Sequence, residues 1–215
     1  MDGPGPAMNQ PDLYLASASP RRRDLLALLK VRCEGVAIDC DESVRAGETP
    51  RAYVRRLALT KARCGARRVS DARPVLGADT AVVVDGQILG KPRDRAHGMA
   101  MLASLSGREH QVLTAVAVVQ SRRRRVVVSD SRVTFAPTTP EERAAYWDTG
   151  EPADKAGAYA IQGLGAVFIT RIRGSQSGIM GLPLRETVLL LREFSVPVFP
   201  WMNHLDGIGE MAHSP

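Results

Sequence analysis

Seven consecutive residues, Ser17-Ala18-Ser19-Pro20-Arg21-Arg22-Arg23, combine a helix-starting signal with a charge that ordinarily opposes it. Ser19 reads as an N-cap, and Pro20 suits the first helical position, where a missing N–H costs nothing. A helix N-terminus exposes unpaired N–H groups and partial positive charge, so acidic side chains are its usual neighbours. Thr139-Pro140-Glu141-Glu142 follows that usual pattern as a capping box with acids in its first turn. After Ser19 come three arginines instead. Cations gathered at a positive helix end suit a bound polyanion, and a strand–turn–helix start is a ready phosphate site. Arginines that simply point into solvent are the plain alternative.

Asp79 is the second chemical signal. It lies between the apolar runs Val75-Leu76-Gly77-Ala78 and Ala81-Val82-Val83-Val84, with Thr80 beside it. A carboxylate inside a strand is heavily penalised by desolvation unless it is paired, holds a metal or performs a reaction, and function is the favoured reading here. Lys91, in Gly90-Lys91-Pro92, suits a phosphate ligand or an ordinary loop lysine equally. Asp41 and Glu42 follow a predicted strand and suit metal ligation or simple solvation; Lys61 reads as a helical lysine, surface-exposed unless the site recruits it. Residues 150–165 are dense in glycine and polar groups, the composition of a complicated turn or a binding loop. Within them Gln162 offers both a donor and an acceptor, as a reader of a neutral base requires. Neither a Ser/His/Asp arrangement nor a Walker loop nor a Rossmann glycine fingerprint is present.

The elements that must position these groups follow from periodicity and punctuation. Strands are predicted at 13–16, near 34–38, at 75–84 and 87–89 across an Asp85-Gly86 turn, at 109–119 and 124–136, and near 165–173. Helices are predicted at 20–31, about 50–68, about 93–105, 140–148 and 183–194, the last with Leu184, Val188 and Leu191 on one face. The strand at 109–119 is apolar at both parities, so both its faces are expected to be covered. The result is a mixed α/β (α+β) fold in three layers. Residues 1–11 read as a disordered leader, with Met8 an alternative start; 12–197 form one domain and 198–215 a tail. The Arg122–Arg125 run reads as a solvated hairpin end.

The chain's 29 Lys and Arg against 23 Asp and Glu favour anionic ligands in general. Aromatic residues make up 5% of it, too few for a platform that stacks single-stranded nucleic acid. No apolar run approaches a membrane span, and no signal peptide is evident. Cys33, Cys40 and Cys64 form no metal or disulfide pattern, and the four histidines show no ligand spacing. The expectation is a cytoplasmic protein with reduced thiols.

Taken in order, these pieces resemble the Maf family of nucleotide pyrophosphatases. The matching residues are Ser17-Ala18-Ser19-Pro20-Arg21-Arg22, Asp41-Glu42, Arg56-Leu57-Ala58 with Lys61-Ala62, Gly77-Ala78-Asp79-Thr80, Gly90-Lys91-Pro92, the stretch from Gly150 to Gly165, and Gly181-Leu182-Pro183-Leu184. The resemblance implies a fold akin to inosine-triphosphate pyrophosphatases, a long mixed sheet bent around a cleft between two lobes, often dimeric. It implies hydrolysis of a nucleoside triphosphate to the monophosphate and pyrophosphate with a divalent cation, Mg²⁺ or Mn²⁺. Asp79 aligns with the catalytic carboxylate, the proton acceptor, and would help hold the metal with Glu42 as second carboxylate. Ser17, Arg21, Arg22, Lys61 and Lys91 would bind the triphosphate. Arg21, Thr80 and Gln162 occupy the three positions that separate substrate classes in the family, and all three match the dTTP/UTP group rather than the 7-methyl-GTP group. Residues 174–180 lack the aromatic that the family often carries before Gly-Leu-Pro-Leu. The implied state is a homodimer acting on free nucleotide, with neither nucleic acid nor membrane as stable partner. The alternatives are a 7-methyl-GTP pyrophosphatase and a non-catalytic regulator that binds nucleic acid or a division partner.

Overall fold

A computed structural model describes residues 10–199; most of the expected leader and tail lies outside them. The elements in chain order are β1 (Leu13–Leu15), α1 (Pro20–Leu28), β2 (Cys33–Gly35), α2 (Pro50–Ala66), β3 (Val75–Val84), β4 (Gln87–Leu89), α3 (Arg95–Leu105), β5 (Glu109–Gln120) and β6 (Arg123–Phe135). There follow α4 (Pro140–Asp148), the 3₁₀ turns Glu151–Asp154, Ala156–Ala158 and Leu164–Phe168, then β7 (Ile169–Arg173), α5 (Gln176–Ile179) and α6 (Leu184–Glu193). Among the described residues seven strands form one sheet in the order β2-β1-β3-β5-β6-β7, with β4 also on β3. β1 runs parallel to β2 and β3, and the remaining pairs are antiparallel, so the sheet is mixed as expected.

Three predicted boundaries need correction. α1 stops at Leu28 instead of 31, because the chain turns at Lys30 into a positive φ of 57°. β2 covers Cys33–Gly35 rather than 34–38. The strand near 165–173 begins only at Ile169; before it the chain forms a 3₁₀ turn, since the Glu151 carboxylate takes the Leu164 and Gly165 N–H groups that a ladder would use. The Arg122–Arg125 run is exposed at the β5–β6 turn, as expected of a hairpin end, but Arg123 also lies over the Phe194 ring and Arg125 pairs with Glu193.

Both faces of the sheet are covered. On one face α2 packs Val54, Ala58 and Ala62 against Ala81 and Val83 of β3 and Leu113, Ala115 and Ala117 of β5. The other face carries two separate clusters. In one, Leu76, Ala78, Val116 and Val118 meet Leu25 and Leu26 of α1 and Val188 and Leu191 of α6. In the other, Val82, Val84, Val112 and Val133 meet Met101, Leu102 and Leu105 of α3 with Tyr146, Tyr159 and Phe168. Between the clusters the same strand faces carry hydroxyls, Thr80 opposite Thr114 and Thr114 opposite Ser129. Two lobes therefore share one sheet, divided where aliphatic side chains give way to polar ones.

The seam of α2 on β3 is built from small residues. A Cβ at Gly77 would lie 2.4 Å from the Ala62 nitrogen and 2.5 Å from the Ala58 carbonyl oxygen, so the helix backbone rests on the strand. A Cβ at Gly65 would lie 2.8 Å from both the Ala16 and Val75 side chains. Gly77→Ala is expected to lower stability by about 3 kcal/mol, since the clash is with helix backbone rather than a movable side chain. Urea unfolding at neutral pH checks this, and wild-type stability would show that α2 is free to retreat.

His110 on β5 is buried between Phe135 and Tyr159, with Nε2 2.7 Å from the Tyr159 hydroxyl. Burial lowers its pKa to about 4, and among the described residues its Nδ1 has no partner to receive a second proton. The unfolded chain takes up that proton near pH 6.5 while the folded one does not, so stability is full at neutral pH and is lost as pH falls from about 6.5 to about 4. The loss from this group amounts to about 3 kcal/mol, and a His110→Phe variant should lack that component in unfolding measured across the same range.

Candidate active site

A cleft of about 560 Å³ opens between the lobes, a size suited to a small ligand. Ser17, Arg21, Arg22, Glu42, Lys61, Asp79, Thr80, Lys91 and Gln162 all line it. Of the site residues expected from the sequence only Asp41 is missing from this lining; its Oδ1 accepts from the Ser43 N–H at 2.9 Å instead.

Asp79 faces α2 because it shares the parity of Gly77 and Ala81 on β3. It is 6% exposed, and its Oδ1 lies 2.7 Å from the Lys61 Nζ. Lys61 is itself 8% exposed, which overturns its reading as an ordinary surface lysine. The same ammonium lies 2.8 Å from Glu42 Oε1, while the Glu42 side chain is 56% exposed on the cleft side. Burial raises the Asp79 pKa, and Lys61 and Arg22 only partly offset it. A carboxylate poised in this way accepts a proton more readily than a free aspartate.

The loop carrying Glu42 is strapped to α2. Tyr53 donates its hydroxyl to the Glu42 carbonyl at 3.0 Å, and Arg56 holds Glu48 through two bonds of 2.6 Å while donating to the Ser43 carbonyl. Tyr53 also lines the cleft, where burial and the charges of Asp79 and Glu42 push its phenol up to about 12. Sequence reading passed over it, although Tyr53, Leu57 and Lys61 recur every four residues and so share a helix face.

At the start of α1 the capping differs from the expectation. Ser19 occupies the N-cap position but makes no side-chain cap, and its backbone N–H turns back to Ser17 Oγ at 3.3 Å. Of the three arginines, Arg23 is exposed, Arg21 half-buried and Arg22 buried. Arg22 donates Nε to the Gly181 carbonyl (2.9 Å), Nη1 to Ser17 Oγ (3.0 Å) and Nη2 to Thr80 Oγ1 (3.2 Å). Thr114 donates to the Gly178 carbonyl at 2.7 Å, so the 2.9 Å contact between Thr80 and Thr114 takes its hydrogen from Thr80. Desolvation lowers the Arg22 pKa and the charges of Asp79 and Glu42 oppose the shift; guanidinium stays protonated.

Lys91 and Gln162 sit exposed on the rim. Lys155, paired with Asp154, also lines the cleft. Its glycine-rich stretch was singled out from sequence, but the lysine was not. Arg21, Arg22, Lys61, Lys91 and Lys155 outnumber Glu42, Asp79 and Asp154 in the lining, the electrostatics of a site for a polyanion.

A family model described as Maf-like protein matches residues 12–194. A relative from Saccharophagus degradans named dTTP/UTP pyrophosphatase is 50% identical over 198 residues, spanning 91% of this chain and 93% of its own. One of the same name from Alkalilimnicola ehrlichii is 50% identical over 192 residues, spanning 87% and 95%. A solved structure from Mycobacterium abscessus, described as a nucleoside-triphosphatase or dITP/XTP pyrophosphatase, aligns at 19% identity over 85% of this chain and 95% of its own, with a TM-score of 0.43.

Arg22 reaches three acceptors on three separate segments of the chain, a spread that the compact ammonium of lysine does not match. Arg22→Lys is expected to lower stability by about 1.5–3 kcal/mol, the worth of a charge-assisted bond lost in a buried place. Urea unfolding tests it; a loss below about 0.5 kcal/mol, the scale of a plain surface change, would mean that Arg22 is not held as described.

Proposed function

The chain belongs to the Maf family, and from that premise we propose that it is a nucleoside triphosphate pyrophosphatase that hydrolyses dTTP and UTP to the monophosphate and pyrophosphate. The observation that carries this reading is the buried Asp79, ion-paired with Lys61 inside a cationic cleft at a helix start devoid of acids. Support for the pyrimidine substrates comes from Arg21, Thr80 and Gln162 together with the names of the relatives.

Asp79 takes the proton of the water that attacks the α-phosphorus, and pyrophosphate leaves. Lys61 has three N–H donors and gives two to Asp79 and Glu42, so the third is free for a phosphate oxygen. Arg22 spends three of its five N–H groups on the protein and keeps two. These donors are fixed before substrate arrives, the condition under which charge stabilisation contributes most to a transition state. Arg21, Lys91 and Lys155 add charge from the rim.

Each of Asp79 and Glu42 gives one oxygen to Lys61, which leaves the other for a hard divalent cation. Mg²⁺ or Mn²⁺ typically binds through one or two carboxylates plus substrate phosphates, so the donor set fits. Such an ion supplies neutralisation of the phosphate charge when bound. In the same cleft the Gln162 amide presents a donor and an acceptor together, matching the N3–H and flanking carbonyls of uracil or thymine. Among the described residues no helix is long and apolar enough to cross a membrane.

The test is pyrophosphate release from dTTP, UTP, CTP, 7-methyl-GTP and ITP, with and without Mg²⁺ or Mn²⁺. Metal-dependent cleavage of dTTP and UTP is expected, and Asp79→Asn should reduce turnover about 10²–10⁴-fold with the fold retained. Near-wild-type turnover in Asp79→Asn would overturn the mechanism. Preference for 7-methyl-GTP would overturn the substrate assignment, and absence of any cleavage would favour a binding protein.

A further inference from the structure

Gln162 is exposed on the cleft rim and makes no side-chain hydrogen bond to the described residues, so something else must set where its amide points. The loop on either side of it is held by two residues outside the cleft lining, Tyr146 of α4 and Glu151. The Ala160 N–H, two positions before Gln162, donates to the Tyr146 hydroxyl at 3.1 Å. The Leu164 N–H, two positions after, donates to Glu151 Oε2 at 2.9 Å, and the Gly165 N–H to Oε1 at 3.0 Å. Tyr146 then donates its own hydrogen to Glu151 Oε1 at 2.6 Å, which joins the two grips into one.

The chain has made room for this arrangement. A Cβ at position 163 would lie 2.2 Å from Glu151 Oε2, and one at position 165 would lie 2.5 Å from the Tyr146 hydroxyl. Glycine at both positions lets the loop backbone press directly onto the carboxylate and the phenol. Tyr146 is buried against Phe168, so the phenol does not swing. Burial alone would raise the Glu151 pKa, but the bonds from Tyr146, Gly165 and Leu164 and the Lys155 charge together hold it below the usual carboxylate range. The carboxylate therefore stays ionised and accepts all three donors at neutral pH.

We propose that Tyr146 and Glu151 are positioning residues for base selection, a clamp that fixes the backbone on both sides of Gln162 and so aims its amide at the base. This rests on the reading of Gln162 as the base reader. A carboxylate suits the task because three donors converge on it. A glutamine there has one acceptor oxygen and would turn its own N–H₂ toward a backbone N–H. Loss of the clamp loosens the reader without touching the triphosphate site, so it should appear in KM and in selectivity rather than in turnover.

The experiment is steady-state kinetics on UTP and GTP for the wild type, Glu151→Gln, Tyr146→Phe, Gln162→Ala and the Glu151→Gln/Gln162→Ala double variant, with thermal unfolding of each. The expected result is a loss of UTP-over-GTP selectivity in kcat/KM of about tenfold in each single variant, carried by KM in Glu151→Gln and Tyr146→Phe, whose kcat for UTP stays within about threefold of wild type. In the double variant Glu151→Gln should change selectivity no further, because the residue it positions is gone. Full selectivity in Glu151→Gln and Tyr146→Phe alongside lost selectivity in Gln162→Ala would overturn the clamp alone, as would additive losses in the double variant. Equal cleavage of UTP and GTP by the wild type, or unchanged selectivity in Gln162→Ala, would overturn the reading of Gln162 and the clamp with it.

Discussion

The buried ion pair between Lys61 and Asp79 sets the terms for the rest of the molecule. A carboxylate in the middle strand of a covered sheet is tolerated only with a partner at hydrogen-bond distance. The partner comes from α2, whose Lys61 reaches Asp79 at 2.7 Å across a seam where the two backbones run close together. Gly77 on the strand and Ala58, Ala62 and Gly65 on the helix make that approach, at the expense of the larger side chains that would otherwise fill the layer. The weak, small-residue seam and the strong, buried charge pair are two sides of one arrangement. Glu42 depends on it as well, since its loop is tied by Tyr53 and Arg56 to the same helix that delivers Lys61.

Much of this was legible in the sequence, and the parts that were not share a cause. Periodicity located β3, β5, β6 and α2 to within a few residues because those elements bury regular faces, and the capping box at Thr139 located α4, which buries only Tyr146. It failed at residues 165–168, where Ala166, Val167 and Phe168 look like the start of a strand. Val167 is in fact 75% exposed, and the local backbone is governed by hydrogen bonds to Glu151 rather than by apolar burial. Lys61 was legible as a site residue only through family resemblance, because its partners Glu42 and Asp79 lie far from it in sequence and no local pattern marks a buried lysine. Glu151 stood out only as part of the matched stretch from Gly150 to Gly165 and not for its role: its partners are two backbone N–H groups and a phenol, and backbone groups carry no sequence.

The arginines that follow Ser19 divide between two roles. Cations at a helix N-terminus are unfavourable toward the helix dipole by a fraction of a kcal/mol each when exposed. Arg23 accepts that small penalty in solvent. Arg22 does not sit on the dipole axis as a free charge, because it spreads its donors over Ser17, Thr80 and Gly181 and feels the carboxylates of Asp79 and Glu42. The phosphate-site reading of the motif and a structural reading are both correct for this one side chain. It ties the loop after β1, β3 and the segment after α5 together while leaving two N–H groups for a ligand.

The hydroxyl row across the sheet explains why a cleft forms at all. Thr80, Thr114 and Ser129 interrupt a face that is otherwise aliphatic, so the helices of the two lobes have nothing apolar to cover there. The row is not left to water. Ser131 Oγ accepts from the Ser175 N–H at the start of α5, and Thr114 donates to the Gly178 carbonyl within it, so these hydroxyls fasten the short helix to the sheet beside its buried Ile179. Its end presents the Gly181 carbonyl to Arg22. Donors therefore run in one direction, from Arg22 to Thr80, from Thr80 to Thr114, and from Thr114 to Gly178, with no member free to reverse without orphaning a neighbour. Such a chain has a single low-energy state, and the guanidinium at its head inherits that definition. A site that must meet a triphosphate with its charges already in place is well served by being anchored where the core is polar and every hydrogen is assigned.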